Sequence, residues 1–230
     1  NFYIIVNEYM PNGNLYDYIH CMKKKNMQID SLFRYKIIFG IASTMKKLHS
    51  IHLFHRDLKP SHVFLDENFE PKISLCHTST FHLSENEVQK QLTGTPMFMA
   101  PEIISGNYYG LKADVYSFLI IILNMFTHSI ELDDGSRLST FNIYAKISNG
   151  KRFKLPKSIP ENYLKLIEKC WCQNEKERPE FDEIIDFLKN NVFSIFDKQS
   201  DIDNIFEFQN RYEYKADDNA CCELSSLIYH

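Results

Sequence analysis

No apolar run in this chain of 230 residues approaches the roughly 20 needed to cross a bilayer. The longest, Phe118 to Met125, is broken only by Asn124 and reads as a buried helix. No charged-then-apolar leader opens the sequence, so secretion is not expected. Neither sign of charge dominates: 26 Lys and Arg against 30 Asp and Glu give a net charge of −4, with no basic cluster dense enough for a nucleic-acid groove. The six cysteines never take the C-x-x-C spacing of zinc or dithiol sites. They suit reduced thiols, so a cytoplasmic protein without a cysteine metal site is expected. No internal repeat is visible. What remains is a globular composition, 44% hydrophobic, enough for one large domain followed by a tail. The chain opens with Asn1 rather than Met, already inside a strand pattern, and is expected to be a piece of a longer protein.

Phe2-Tyr3-Ile4-Ile5-Val6 has the continuous apolar, β-rich character of a buried strand and runs into Asn7-Glu8-Tyr9-Met10. Pro11-Asn12-Gly13-Asn14 supplies turn chemistry and a helix cap before Leu15. From the capping residue Asp30, apolar side chains recur at Leu32, Tyr35, Ile38, Ile41, Met45 and Leu48, one face of a long helix. Val63-Phe64-Leu65, a turn at Asp66-Glu67-Asn68 and Lys72-Ile73 read as a short hairpin. Residues 78–93 are polar and rich in Ser and Thr, as an exposed loop would be. After Glu102 the pattern is mostly helical, with a stop at Gly150 and a last helical face at Phe181, Ile184, Ile185 and Leu188. Beyond about residue 191 the apolar positions sustain no clear period, and residues 191–230 are expected to be a linker or tail.

Five motifs stand in order along this framework. His55-Arg56-Asp57-Leu58-Lys59-Pro60-Ser61-His62 matches H-R-D-L-x-x-x-N except at its last position. Thirteen residues beyond His62, Leu75-Cys76-His77 stands in the frame of a D-F-G triplet. Gly94-Thr95-Pro96-Met97-Phe98-Met99-Ala100-Pro101-Glu102 ends in an intact A-P-E, and Asp114-Val115-Tyr116-Ser117-Phe118 and the pair Cys170-Trp171 with Arg178-Pro179 follow. Together they resemble the protein kinase family. Leu58-Lys59-Pro60 and Gly94-Thr95 are closest to serine/threonine kinases, and the hinge and the Cys170-Trp171 region to their tyrosine-kinase-like group. The resemblance covers roughly residues 2–190. It implies an α+β, protein-kinase-like fold: mainly the α-helical C-terminal lobe over 1–190, with the last N-lobe strand and the hinge and the rest of the N-lobe largely absent.

The resemblance also implies roles. Asp57 would orient the acceptor hydroxyl and Lys59 would sit beside the transferred phosphoryl. The backbones of Glu8 and Met10 would hold adenine, Asn7 would be the gatekeeper and Phe64 would line the floor of the ATP site. Glu102 and Arg178 would form a buried ion pair. Asp114 would accept hydrogen bonds from the catalytic-loop backbone, with a simple helix N-cap as the alternative. Arg56 beside Asp57 implies a loop ordered by phosphorylation, with Thr93 the candidate acceptor. ATP and Mg²⁺ are the implied cofactors, and a protein substrate or regulatory protein the implied partner.

Departures from the pattern cut against catalysis. His62 and Leu75 replace the two metal-binding side chains, and Mg²⁺ demands hard oxygen ligands. Cys76 is too small for the space of the family Phe, and His77 lacks the φ freedom of Gly. These residues contain no G-x-G-x-x-G loop and no V-A-I-K lysine. Three functions follow as alternatives: a pseudokinase-like interaction or regulatory module, an active Ser/Thr kinase in the full-length form, or a non-functional gene fragment.

Overall fold

The computed structural model describes residues 8–75, 79–81, 94–106, 109–128, 140–196 and 198–217. The expected strand at 2–6, Asn7, Cys76, His77 and Thr93 lie outside them.

Helix α1 spans Leu15–Lys24 and starts where expected, because the Asn14 side-chain oxygen accepts from the Asp17 N–H at 3.0 Å. Helix α2, Ser31–Ser50, is capped in the same way by the Asp30 carboxylate, which accepts from Phe33 N at 2.9 Å. After it come β1 at Leu53–Phe54, β2 at Val63–Leu65, β3 at Pro71–Ile73 and β4 at Thr80–Phe81. β2 and β3 form the expected antiparallel hairpin, with Val63 opposite Ile73 and Leu65 opposite Pro71. β4 pairs with β1, so part of the Ser/Thr-rich segment is tied to the lobe by a short ladder rather than left as open loop.

The regular elements described after these are helices: α3 at Pro101–Ile104, α4 at Leu111–Thr127, α5 at Thr140–Ser148, α6 at Glu161–Cys170 and α7 at Phe181–Asn190. Then follow α8 at Val192–Ile195 and α9 at Gln199–Asp217. The architecture is α+β as expected, dominated by helices, with two small antiparallel strand pairs among the described residues. α4 is its pillar, buried without a break from Ala113 to Phe126. A helix apolar all round belongs in a core, and none of the described helices is long and apolar enough to cross a membrane.

α2 departs from the one-faced stripe read in its sequence. Ile37, Phe39 and Gly40, off that stripe, are buried as well, because α7, α9 and β3 pack around the helix. Gly40 has no room for a side chain: a Cβ there would lie 2.5 Å from Pro71 Cγ and 2.8 Å from the Tyr212 hydroxyl.

The expected linker beyond residue 191 is corrected over its first half. α9 docks on α2 through Ile202, Ile205 and Phe208, all buried, and its Gln209 amide donates to the Tyr35 hydroxyl at 2.7 Å. Arg211 reaches Glu70 beside the hairpin at 2.8 Å. The spacing of 202, 205, 208, 209 and 212 is helical; it is hidden by the intervening Asp203, Asn204, Glu207, Asn210 and Arg211, which keep the overall stretch polar.

Candidate active site

The segment from His55 to His62 leaves β1 and enters a 3₁₀ turn at Pro60–His62. Its shape is set from below by Asp114, fully buried inside α4. Asp114 Oδ2 accepts from His55 N and Oδ1 from Arg56 N, each at 3.0 Å. Those two bonds hold Arg56 at φ 68°, a conformation that costs a non-glycine residue on the order of 1 kcal/mol or more. The helix begins at Leu111 after Gly110, so Asp114 is not its N-cap. Tyr109 donates to Oδ1 at 2.8 Å and His49 Nε2 lies 3.1 Å from Oδ2. Burial alone would raise the Asp114 pKa; the hydrogen bond from His49 and that from the His55 backbone N–H outweigh it and hold the carboxyl below its ordinary value.

His55 is buried too, and burial pushes its pKa below the usual histidine range. Its Nε2 meets the Ser74 carbonyl at 3.1 Å and its Nδ1 accepts from Asp57 N at 3.3 Å, so the neutral ring carries its proton on Nε2. The ring thus couples the loop to the strand that leads to Leu75.

Asp57 and Lys59 are brought together. Asp57 Oδ2 and Lys59 Nζ are 2.8 Å apart, and Thr95 joins them: its hydroxyl accepts from Lys59 Nζ and donates to Asp57 Oδ1, both at 2.7 Å. Gly94 permits this approach, since it sits at φ 118° and a Cβ would meet the Arg56 carbonyl oxygen at 2.8 Å. Ser117 of α4 donates to the Phe98 carbonyl at 2.7 Å and secures the same segment from below. Its far end is locked by the expected ion pair. Arg178 forms two 2.7 Å bonds to Glu102, donates to the Cys172 and Lys112 carbonyls, and is 1% exposed.

Glu8 and Met10 lie on the approach to α1, Glu8 exposed and Met10 half-buried. The Met10 carbonyl accepts from Gly13 N at 3.2 Å. Phe64, between buried Val63 and Leu65, projects to the opposite side of β2 and is half-buried. Sequence reasoning placed Thr95 and Ser117 in motifs but missed their bonds to Asp57 and to the Phe98 carbonyl, and it missed His49 and Tyr109 altogether. None of these carries a local signal, because each acts across 5 to 65 positions.

The residues at the two metal positions do not fit Mg²⁺. His62 Nδ1 lies 2.8 Å from the Asp57 carbonyl oxygen, which can only accept, so that nitrogen carries a proton. The ring offers a single remaining nitrogen where Mg²⁺ takes oxygen. Leu75 has no donor atom and is 41% exposed. Among the described residues no group of three His, Cys, Asp or Glu side chains could hold a metal ion.

A cavity of about 490 Å³ adjoins Lys59 and Thr95, walled by α1, the 3₁₀ turn at Pro96–Phe98 and the end of α4. Its volume is in the range of ligand-binding clefts.

The family model for protein tyrosine and serine/threonine kinases matches residues 1–188. Among similar proteins, the RGS domain-containing serine/threonine-protein kinase A of Dictyostelium discoideum is 31% identical over 191 residues, 83% of this chain and 16% of that protein. The serine/threonine-protein kinase STY17 of Arabidopsis thaliana is 31% identical over 195 residues, 85% of this chain and 33% of its own length. The probable serine/threonine-protein kinase pats1 of Dictyostelium discoideum is 34% identical over 189 residues, 80% of this chain and 6% of its own. The chain therefore belongs to the protein tyrosine and serine/threonine kinase family. It spans a third or less of the length of these three relatives. The family reaction is transfer of a phosphoryl group from ATP to protein hydroxyls, with Mg²⁺.

Proposed function

We propose that this domain recognises a protein substrate or regulatory partner at the Asp57–Lys59–Thr95 site while its own metal-dependent phosphotransfer is impaired, a pseudokinase-like role in the cytoplasm. One observation carries the reading. Both metal positions have lost their oxygen donors, His62 having its Nδ1 proton committed to Asp57 and Leu75 having none to offer. Phosphoryl transfer depends on charge neutralisation around the phosphates, so this loss removes a main catalytic contribution. Asp57 remains the group that would orient a hydroxyl, and Lys59 the cation beside it. Glu8, Met10 and Phe64 are the proposed contacts for the adenine ring.

A second reading, an active serine/threonine kinase, draws support from the intact triad of Asp57, Lys59 and Thr95. A labelling assay decides between them. The purified 230-residue chain, mixed with labelled ATP, Mg²⁺ and a serine/threonine peptide mixture, is expected to transfer no more label than its Asp57→Asn variant. Labelling that disappears in Asp57→Asn overturns the impaired reading and establishes the active one.

A further inference from the structure

A second cavity, of about 670 Å³, is an open groove between α6 and α7 that reaches the start of α4. Its charge is sorted by wall. The α7 wall carries Glu183 and Asp186, with Glu180 just before the first turn, and no lysine or arginine among the described lining residues. The facing wall carries Lys169 of α6, Lys176 of the 3₁₀ turn at Glu175–Glu177 and Lys112 of α4. Glu177 is the one carboxylate described on that side, and the Asn174 amide engages it at 3.0 Å.

Within the lobe this sorting is used at one end only. Lys112 bridges to Glu180 at 2.7 Å and donates to the Arg178 carbonyl at 2.6 Å. Lys169, Lys176 and Asp186 are exposed and form no ion pair among the described residues. Glu183 and Asp186 stand three positions apart on one helical face, where like charges repel. The fold therefore holds a negative strip along one wall and a positive strip along the other, each short of a counter-charge.

An apolar feature adjoins the groove. Phe193 comes three positions after Asn190, which lines it, and so lies within about 11 Å of that residue. Phe193 is 66% exposed and rests against Phe206 of α9, itself 38% exposed, with ring centroids 5.8 Å apart. Exposed aromatic anchors beside charged walls have the composition of a protein interface.

We propose that a second copy of this chain docks on this groove, related to the first by a two-fold axis that runs along it. Such an axis exchanges the two walls. Glu183 and Asp186 of each copy then face Lys169 and Lys176 of the other, and the two Phe193–Phe206 pairs meet. One operator satisfies both features, which is the condition for an isologous interface. A partner of single charge sign would match one wall and be repelled by the other. The pairing is independent of whether the Asp57 site transfers phosphoryl groups.

Sedimentation velocity of the 230-residue chain over a concentration series tests the pairing. The chain is expected to pass from one copy to two in the micromolar range, and to need more protein as salt is raised. Lys169→Glu with Lys176→Glu makes both walls acidic. Asp186→Lys with Asn190→Lys places positive charge on the α7 wall and leaves the Glu183 bond to the Glu180 N–H in place. Each variant alone should raise the dimer Kd at least about tenfold, and an equimolar mixture of the two should regain the dimer, because the acidic copy then meets the basic one. Phe193→Ser should weaken pairing by a similar factor. A chain that stays single at hundreds of micromolar overturns the proposal. Association that neither charge variant weakens, or a mixture that fails to associate, overturns it as well.

Discussion

The Thr95 hydroxyl donates to Asp57 Oδ1 at 2.7 Å, across 38 positions of sequence, while accepting from Lys59. One hydroxyl therefore joins the end of the Gly94–Glu102 segment to the loop that carries the family's acidic residue. Removing it leaves a partly buried carboxylate one donor short. Thr95→Val is expected to lower stability by about 1–2 kcal/mol, and Thr95→Ser by less, since Ser restores both bonds. Urea midpoints of the two variants check this; a larger loss in Thr95→Ser than in Thr95→Val would show that the methyl group, not the hydroxyl, matters.

Arg178 and Glu102 make the opposite kind of pair, buried and bidentate. Arg178→Ala strands the Glu102 charge and the Cys172 and Lys112 carbonyls, so a loss of about 3–5 kcal/mol is expected. Asp57→Ala, at a more exposed and self-contained site, should cost much less. Circular-dichroism melts of both variants give the comparison, and similar melting temperatures would contradict it.

Acid should weaken the lobe in two stages. His55 is held neutral by burial, below its unfolded value of 6.5. The stability it confers is complete above about pH 6.5 and drains as pH falls toward the folded value. Asp114, also held below its unfolded value of 3.8, contributes above that value and loses its contribution as pH falls through the lower folded one. The destabilisation caused by His55→Gln should therefore shrink between about pH 7.5 and 5. Denaturation at a series of pH values tests it: a constant difference would mean that His55 does not titrate differently on folding.

α9 lies beyond residue 188, where the family match ends, yet it is part of the packed lobe. Phe208 is fully buried against Phe39 and Tyr212, with ring centroids 6.2 and 4.7 Å away. Phe208→Ala should cost about 3–5 kcal/mol, whereas Phe193→Ala, at a position 66% exposed, should stay near 0.5 kcal/mol. Similar melting temperatures for the two variants would place α9 outside the cooperative unit.

Much of the lobe was legible in the residues. Caps at Asn14 and Asp30 announced α1 and α2, the turn at Asp66–Asn68 announced the β2–β3 hairpin, and the apolar run from Phe118 announced α4. These are local signals, written in neighbours a few positions apart. The ion pair of Glu102 with Arg178 and the place of Asp114 beneath the loop were reached through the family's motifs rather than through physics, because no local rule links residues 58 or 76 positions apart. α9 was missed because polar residues dilute its apolar face, and a surface helix declares itself only when a partner covers that face.

The amino-acid sequence by itself determined the ordered motifs, hence the family, and the loss of oxygen donors at His62 and Leu75, because those are matters of residue identity at set spacing. Tertiary structure alone decided what those residues do to one another. It brought Thr95 to Asp57, engaged the His62 Nδ1 proton with a backbone carbonyl and packed α9 on α2. The physical reason is distance: hydrogen bonds and fields act over a few ångströms in space, and only the folded chain places residues a hundred positions apart within that reach.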